Sequence, residues 1–272
     1  MNRATALLVG RACLVAALAC GGLHGAAQPV PVRHVEGTLH GFLALRGQDG
    51  RVVAAGELSQ VARGSTVTAR LMFHFRDGSV DDETTVFTER GTFQMVSDHH
   101  IQQGPSFPKP MDLTIDVPHG RVTSRSANKD GKAAVKSKTM RLPADLANGM
   151  VSIIAKNIRP EAPETKVSMV VLTPEPRVVT LAISPRGEDS YSLLGLPHKG
   201  LHYTIRIELG GIAGIVAPLI GKEPPEIQLW VLGGDAPTFL RSEVPMFQDG
   251  PVWTMELASP EWPEAAPQQH NP

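Results

Sequence analysis

The chain predicts a mainly β protein: a large curved antiparallel sheet or open β-barrel, with one central amphipathic helix near residues 143–157 and a short apolar segment near 210–221. Three observations carry that expectation. Short segments of alternating apolar and polar residues recur along most of the chain, which is the period of a half-buried strand. The breaks between them are short and rich in turn formers, as in Gln48-Asp-Gly50, Arg63-Gly-Ser65, Arg76-Asp-Gly-Ser79 and Pro118-His-Gly120. Helical periodicity is convincing in one stretch alone, so strands do not alternate with helices as a βαβ fold requires.

Residues 1–27 read as a secretory signal, with Arg3 and Arg11 as positive charge, residues 12–20 as a short apolar core, and Gly25-Ala-Ala27 as a small-residue cleavage site. A membrane span would need about 20 continuous apolar residues, and Arg11 interrupts this run. The expected compartment is therefore secreted or periplasmic. Both cysteines, Cys13 and Cys20, fall inside the signal, so the mature chain has no disulfide, thiolate metal site or thiol nucleophile. Anchoring as a lipoprotein through Cys20 is the alternative; it is disfavoured because Ala17 stands three residues before Cys20, where such signals place Leu. Cleavage after Ala27 leaves 24 basic against 27 acidic residues, a net charge near −3. With no long basic run, nucleic-acid binding has no electrostatic support.

At 272 residues with 42% apolar and 19% charged residues, the chain can bury a sizeable core. Strands are expected over 34–46, 51–61, 66–76, 81–88, 92–102, 111–116 and 121–126, with 126–132 as a polar hairpin tip. In the helix, Pro143 suits the first turn, while Leu146, Met150, Ile153, Ile154 and Ile158 fall on one face. Pro160 and Pro163 end it. Strands resume over 166–173, 177–184, 190–194 and 203–209, and again over 226–232, 238–243 and 251–258. One β-rich domain over 28–262 is expected, followed by a Pro-, Gln- and Ala-rich disordered tail over 263–272.

Between two strands, residues 210–221 gather Ile212, Ile215, Val216, Leu219 and Ile220. Such a run is too short for a bilayer, and Pro218 prevents a long regular helix. It reads as a plug at one end of the sheet or as a lid over a cavity. Phe107, in the rigid loop Gln103-Gly-Pro-Ser-Phe-Pro108, reads as a buried cap or a ligand contact. Phe107, Ile212, Ile215 and Leu219 are therefore the candidate ligand-binding residues. Trp230 and Trp253 lie on expected strands and are assigned to the core.

Chemistry is best represented by Asp98-His99-His100, with His74 and the acidic run Asp81-Asp-Glu83 nearby. Alternation puts Asp98 and His100 on one face and His99 on the other. If the strands align, His74 meets His100 with Asp82 or Glu83, and two His plus a carboxylate is a known metal set. The alternative is that these positions face water or bond the backbone. No fixed metal spacing, no Gly-x-Ser-x-Gly elbow and no Gly-x-Gly-x-x-Gly nucleotide loop occurs, so no catalytic residue, metal, cofactor or nucleotide is assigned.

Five blocks carry a resemblance: residues 75–87, 98–107, 142–149, 210–225 and 250–253. Together they resemble a family of secreted bacterial proteins with no established activity, cofactor or catalytic residue, so the resemblance implies a compartment and no chemistry. The strand-rich pattern with a central helix is also loosely similar to periplasmic half-barrels that carry lipids or lipoproteins, an architectural analogy. The leading functional expectation is a non-enzymatic cell-envelope module that binds an apolar, lipid-like ligand or a protein segment, with peripheral membrane contact under the lid reading. The alternatives are a secreted hydrolase using His74, Asp98 and His100, with or without a metal, and a structural partner in envelope assembly.

Overall fold

The computed structural model describes residues 27–127, 133–173, 175–193, 196–208 and 224–259. The expected signal with Cys20, the segment 210–221 with Ile212, Ile215 and Leu219, and the tail 263–272 lie outside the described residues. The described chain forms one antiparallel sheet of fourteen strands, not closed into a barrel. The first eight are β1 (Leu39–Arg46), β2 (Val52–Arg63), β3 (Thr66–Phe75), β4 (Val80–Arg90), β5 (Thr92–Gln103), β6 (Met111–Asp116), β7 (Arg121–Ala127) and β8 (Ala133–Thr139). The helix α1 (Val151–Asn157) follows. Then come β9 (Thr165–Thr173), β10 (Glu175–Leu193), β11 (Leu196–Glu208), β12 (Ile227–Leu232), β13 (Thr238–Pro245) and β14 (Val252–Ala258).

Each strand pairs with its neighbour in sequence except β8 with β9, and β1 pairs with β14, so the sheet runs β8 to β1 and then β14 to β9. Its two edges are β8 and β9. Short turns produce this meander because antiparallel neighbours need only a few connecting residues. The chain between the edges turns onto the inner face. There α1 packs against β12 and β13, and the Tyr203 hydroxyl on β11 donates to the Ile158 carbonyl at 2.9 Å. Lys138 on β8 lies 3.6 Å from Glu175 at the start of β10.

The helix is shorter than its apolar spacing suggests. Leu146, Met150, Ile153, Ile154 and Ile158 are all buried, as the spacing requires. The first half of the stretch, however, pairs with β9 instead of coiling. Ala147 N–H donates to the Ser168 carbonyl at 2.8 Å, and Ser168 N–H to that of Asp145 at 3.1 Å. The Asn148 side chain closes the same ladder, donating to the Val170 carbonyl at 2.8 Å and accepting from its N–H at 2.9 Å. Gly149 then turns with φ of 62° before the helix begins. An edge strand with unpaired backbone groups outcompetes local helix propensity.

Three other differences are local. The two segments expected at 177–184 and 190–194 are one 19-residue strand, β10, bent at an irregularity between Pro185 and Gly187. The strand β8 continues the sheet beyond the polar tip. Trp253 is buried as assigned, but Trp230 is half-buried on the outer face, stacked on His202 at 4.5 Å with its indole N–H donating to Asp189 at 2.8 Å. Outer positions of β3 to β7 carry ion pairs, including Arg70–Asp82 at 2.7 Å and Arg125–Asp112 at 3.3 Å.

Candidate functional site: a polar ladder on the inner face

Strand alternation and one bulge build the site. On β5, Phe93 and Met95 face the core, and continued alternation would send Ser97, His99 and Ile101 inward. The register against β4 slips at Val86/Phe87, where Ser97 and Met95 are the successive partners and Val96 is the extra residue. That bulge switches the inward series to Asp98, His100 and Gln102. On β4 the inward series is Asp81, Glu83 and Thr85. The result is three consecutive cross-strand pairs on one face: Asp81 with Gln102, Glu83 with His100, and Thr85 with Asp98. Their neighbours on the same face are apolar. Phe73, Leu71 and Ala69 stand opposite on β3, and Leu113 and Ile115 on β6. Six polar side chains therefore form an island in the hydrophobic core face.

Most of this island is satisfied internally. Gln102 Nε2 donates to Asp81 Oδ2 at 2.6 Å and to the Met246 carbonyl at 2.8 Å. His100 Nε2 lies 3.2 Å from the same Asp81 oxygen, and its Nδ1 is 3.7 Å from Glu83 Oε1. The Thr85 hydroxyl donates to Asp98 Oδ1 at 2.7 Å. The exception is Asp98 Oδ2, which is buried without a hydrogen-bond partner among the described residues, on a residue only 1% exposed. Gly149 seals this end. A Cβ there would overlap the Thr85 hydroxyl and come within 3.2 Å of Asp98 Oδ1, so no side chain fits. The middle pair reaches solvent, for the Glu83 and His100 side chains keep 18% and 20% of their surface exposed.

Burial and crowding perturb the protons held here. Burial, reinforced by the nearby Glu83 charge, pushes the Asp98 carboxyl up to about 7. Glu83 is also raised, by burial first and by Asp81 second, with His100 opposing. Burial works against a charged His100 ring, but Glu83 and Asp81 outweigh it and raise the ring to about 9. The ladder thus holds one imidazolium against three carboxyls, with two of those carboxyls reluctant to ionise.

The sequence grouped Asp98 with His100 on one face, and the structure does so. His74 is not with them. It pairs with Val80 on the outer face and is exposed, because it stands three residues from the inward Leu71 on an unbulged strand. The set His74, Asp98 and His100 is therefore not assembled. Of the two carboxylates considered beside it, Asp82 faces outward to Arg70 and Glu83 faces His100. Among the described residues no group of three His, Cys, Asp or Glu side chains is arranged to hold a metal ion.

Phe107 is buried, edge-on to Phe75 at 5.2 Å and to Phe247 at 5.8 Å, with Trp253 at 6.5 Å. This aromatic cluster adjoins the Gln102 end of the ladder through Met246 and Phe247. Asp81 enters the sequence reading only as part of the acidic run, and Thr85, Gln102 and Gly149 do not enter it as site members. Alternation from Asp81 through Thr85 was the available signal for the β4 residues, while nothing in the sequence aligns Gly149 with Thr85. A second inner polar group, Lys156–Glu36 at 2.8 Å with Gln60 and Glu89, is fully paired and anchors α1.

No protein-family model matches the chain, and no curated protein or solved structure proved similar to it.

Proposed function

We propose that the protein is a binding module of the cell envelope that takes an amphiphilic ligand on the inner face of its sheet. The apolar part of the ligand lies against inner-face side chains such as Leu71 and Leu113, and its polar end on the ladder. The observation that carries this reading is Asp98 Oδ2, a buried carboxyl oxygen with no partner among the described residues, in a ladder whose Glu83 and His100 reach solvent. An unsatisfied buried polar group costs about 1–3 kcal/mol, and a ligand that supplies a donor would recover much of it. The envelope location rests on the signal pattern. Mass spectrometry of organic extracts from purified protein tests the reading. A stoichiometric amphiphile in the wild type, reduced in Glu83→Gln, supports it; protein that carries none and binds none on addition overturns it.

A second reading, acid–base catalysis, is favoured by one observation: the His100 ring stands 3.2 Å from Asp81 and 3.7 Å from Glu83 on the face it shares with Asp98, where burial and these charges push Asp98 up to about 7 and His100 to about 9. In it Asp98 and His100 act with Glu83, and His74 plays no part. Turnover of generic ester substrates that disappears in His100→Gln would support it, and no turnover across a broad ester panel would count against it.

A further inference from the structure

We propose that the ladder is a site for a protonated primary amine, the head group of an aliphatic ammonium amphiphile. This rests on the binding reading above and adds the head-group chemistry. Charge selects the sign. Asp81, Glu83 and Asp98 face a single His100, and the adjoining inner positions on β3 and β6 bring no cation. An anionic head would meet three carboxyls.

Hydrogen bonding selects the donor count. Asp98 Oδ2 has no partner among the described residues. Among the described residues, Glu83 has only its 3.7 Å contact with His100. Gln102 is committed to Asp81 and the Met246 carbonyl, and Thr85 to Asp98 Oδ1. Once ionised, these two carboxylates offer the open acceptor capacity. A primary ammonium brings three N–H donors, whereas a hydroxyl brings one and a quaternary ammonium none. The exposed ends of Glu83 and His100 mark the way in, and the Gly149 turn closes the far side over Thr85 and Asp98. The amine passes Glu83 and stops at Asp98.

Binding should also depend on pH. The charged groups bearing on Asp98 are Glu83 from β4, His100 on its own strand and, from the outer face of β5, His99. The Gly149 turn presents backbone, and the paired residues of β3 and β6 are apolar. Acidification protonates the carboxylates while an alkylamine keeps its charge, so affinity falls with pH.

Isothermal titration calorimetry on the full chain tests this, using dodecylamine, dodecyltrimethylammonium and dodecanoate below their micelle concentrations. Dodecylamine should bind at pH 8 about tenfold or more tightly than the other two, the scale of one lost charge-assisted hydrogen bond. Asp98→Asn and Glu83→Gln should each weaken it by about tenfold or more, as should a change to pH 5. His74→Ala, on the outer face, should leave it unchanged. Equal binding of all three amphiphiles, or variants that bind dodecylamine like wild type, would overturn the amine assignment and leave the binding reading standing. Failure of all three to bind would overturn both.

Discussion

Replacing Gly149 by Ala tests whether the turn before α1 is seated on the ladder. Two costs arise. Gly149 has φ of 62°, and a Cβ in the left-handed region costs about 1–2 kcal/mol. The new methyl group would also overlap the Thr85 hydroxyl. Moving Thr85 aside breaks its 2.7 Å bond to Asp98 Oδ1. With Oδ2 already without a partner, Asp98 would then have neither oxygen satisfied, at a further cost of about 1–3 kcal/mol. Gly149→Ala should therefore destabilise by about 2–5 kcal/mol in urea unfolding. Gly64→Ala is the matched control. It has φ of 61° and nothing within 4 Å of the added Cβ, so it should show the backbone cost alone, about 1–2 kcal/mol. If the two variants differ by less than about 0.5 kcal/mol, within the usual scatter of such comparisons, the turn does not rest on Thr85 and Asp98.

Asp98→Asn should change how stability depends on pH. The Asp98 carboxyl ordinarily titrates at 3.8 and is raised to about 7 in the fold. Between these values the native state keeps a proton that the unfolded chain has released, so wild-type stability falls as pH rises through this window and levels off above it. The window corresponds to roughly 4 kcal/mol at most; Asn removes that fall, so the variant should be the more stable protein at pH 8, and a parallel pair of urea-midpoint curves from pH 4 to pH 8 would refute it. His100, raised from 6.5 to about 9, adds stability that is complete below pH 6.5 and lost by pH 9, so His100→Gln should flatten the alkaline limb of a thermal-melt series. Ile153→Ala on α1, where Ile153 is 5% exposed, should cost about 2–5 kcal/mol, and a cost below about 0.5 kcal/mol in urea unfolding would be that of a surface position.

Strand positions were legible because alternation and turn residues act locally. The inner series Val67, Ala69, Leu71, Phe73 and Phe75 on β3 can be read directly from the sequence. Which faces meet across strands is a different matter. Pairing placed Leu71 opposite Glu83, and so put Glu83 and His100 inside and His74 outside. The bulge at Val86/Phe87 carries no Gly or Pro signal of its own, yet it decides which half of Asp98–Gln102 is buried. The helix boundary failed for a related reason. The apolar spacing of residues 145–148 reads as helix, but the β9 edge, distant in sequence, captures their backbone groups. Trp230 was assigned to the core on residue type, whereas its parity with the buried Leu229 and Val231 puts it outside. Each miss concerns contacts that depend on residues far along the chain, which a single segment cannot encode.

Everything above turns on Asp98, which presents a buried carboxyl oxygen without a partner among the described residues to the ladder. Its side-chain carboxyl carbon can be followed by NMR in ¹³C-labelled protein across a pH titration, with and without dodecylamine. The midpoint should lie near the value of about 7 set by burial and Glu83, and move downward when the amine is bound because the cation favours the ionised form. A midpoint near the ordinary 3.8, unmoved by the amine, would mean that water or a protein donor already satisfies Asp98, and would contradict the account.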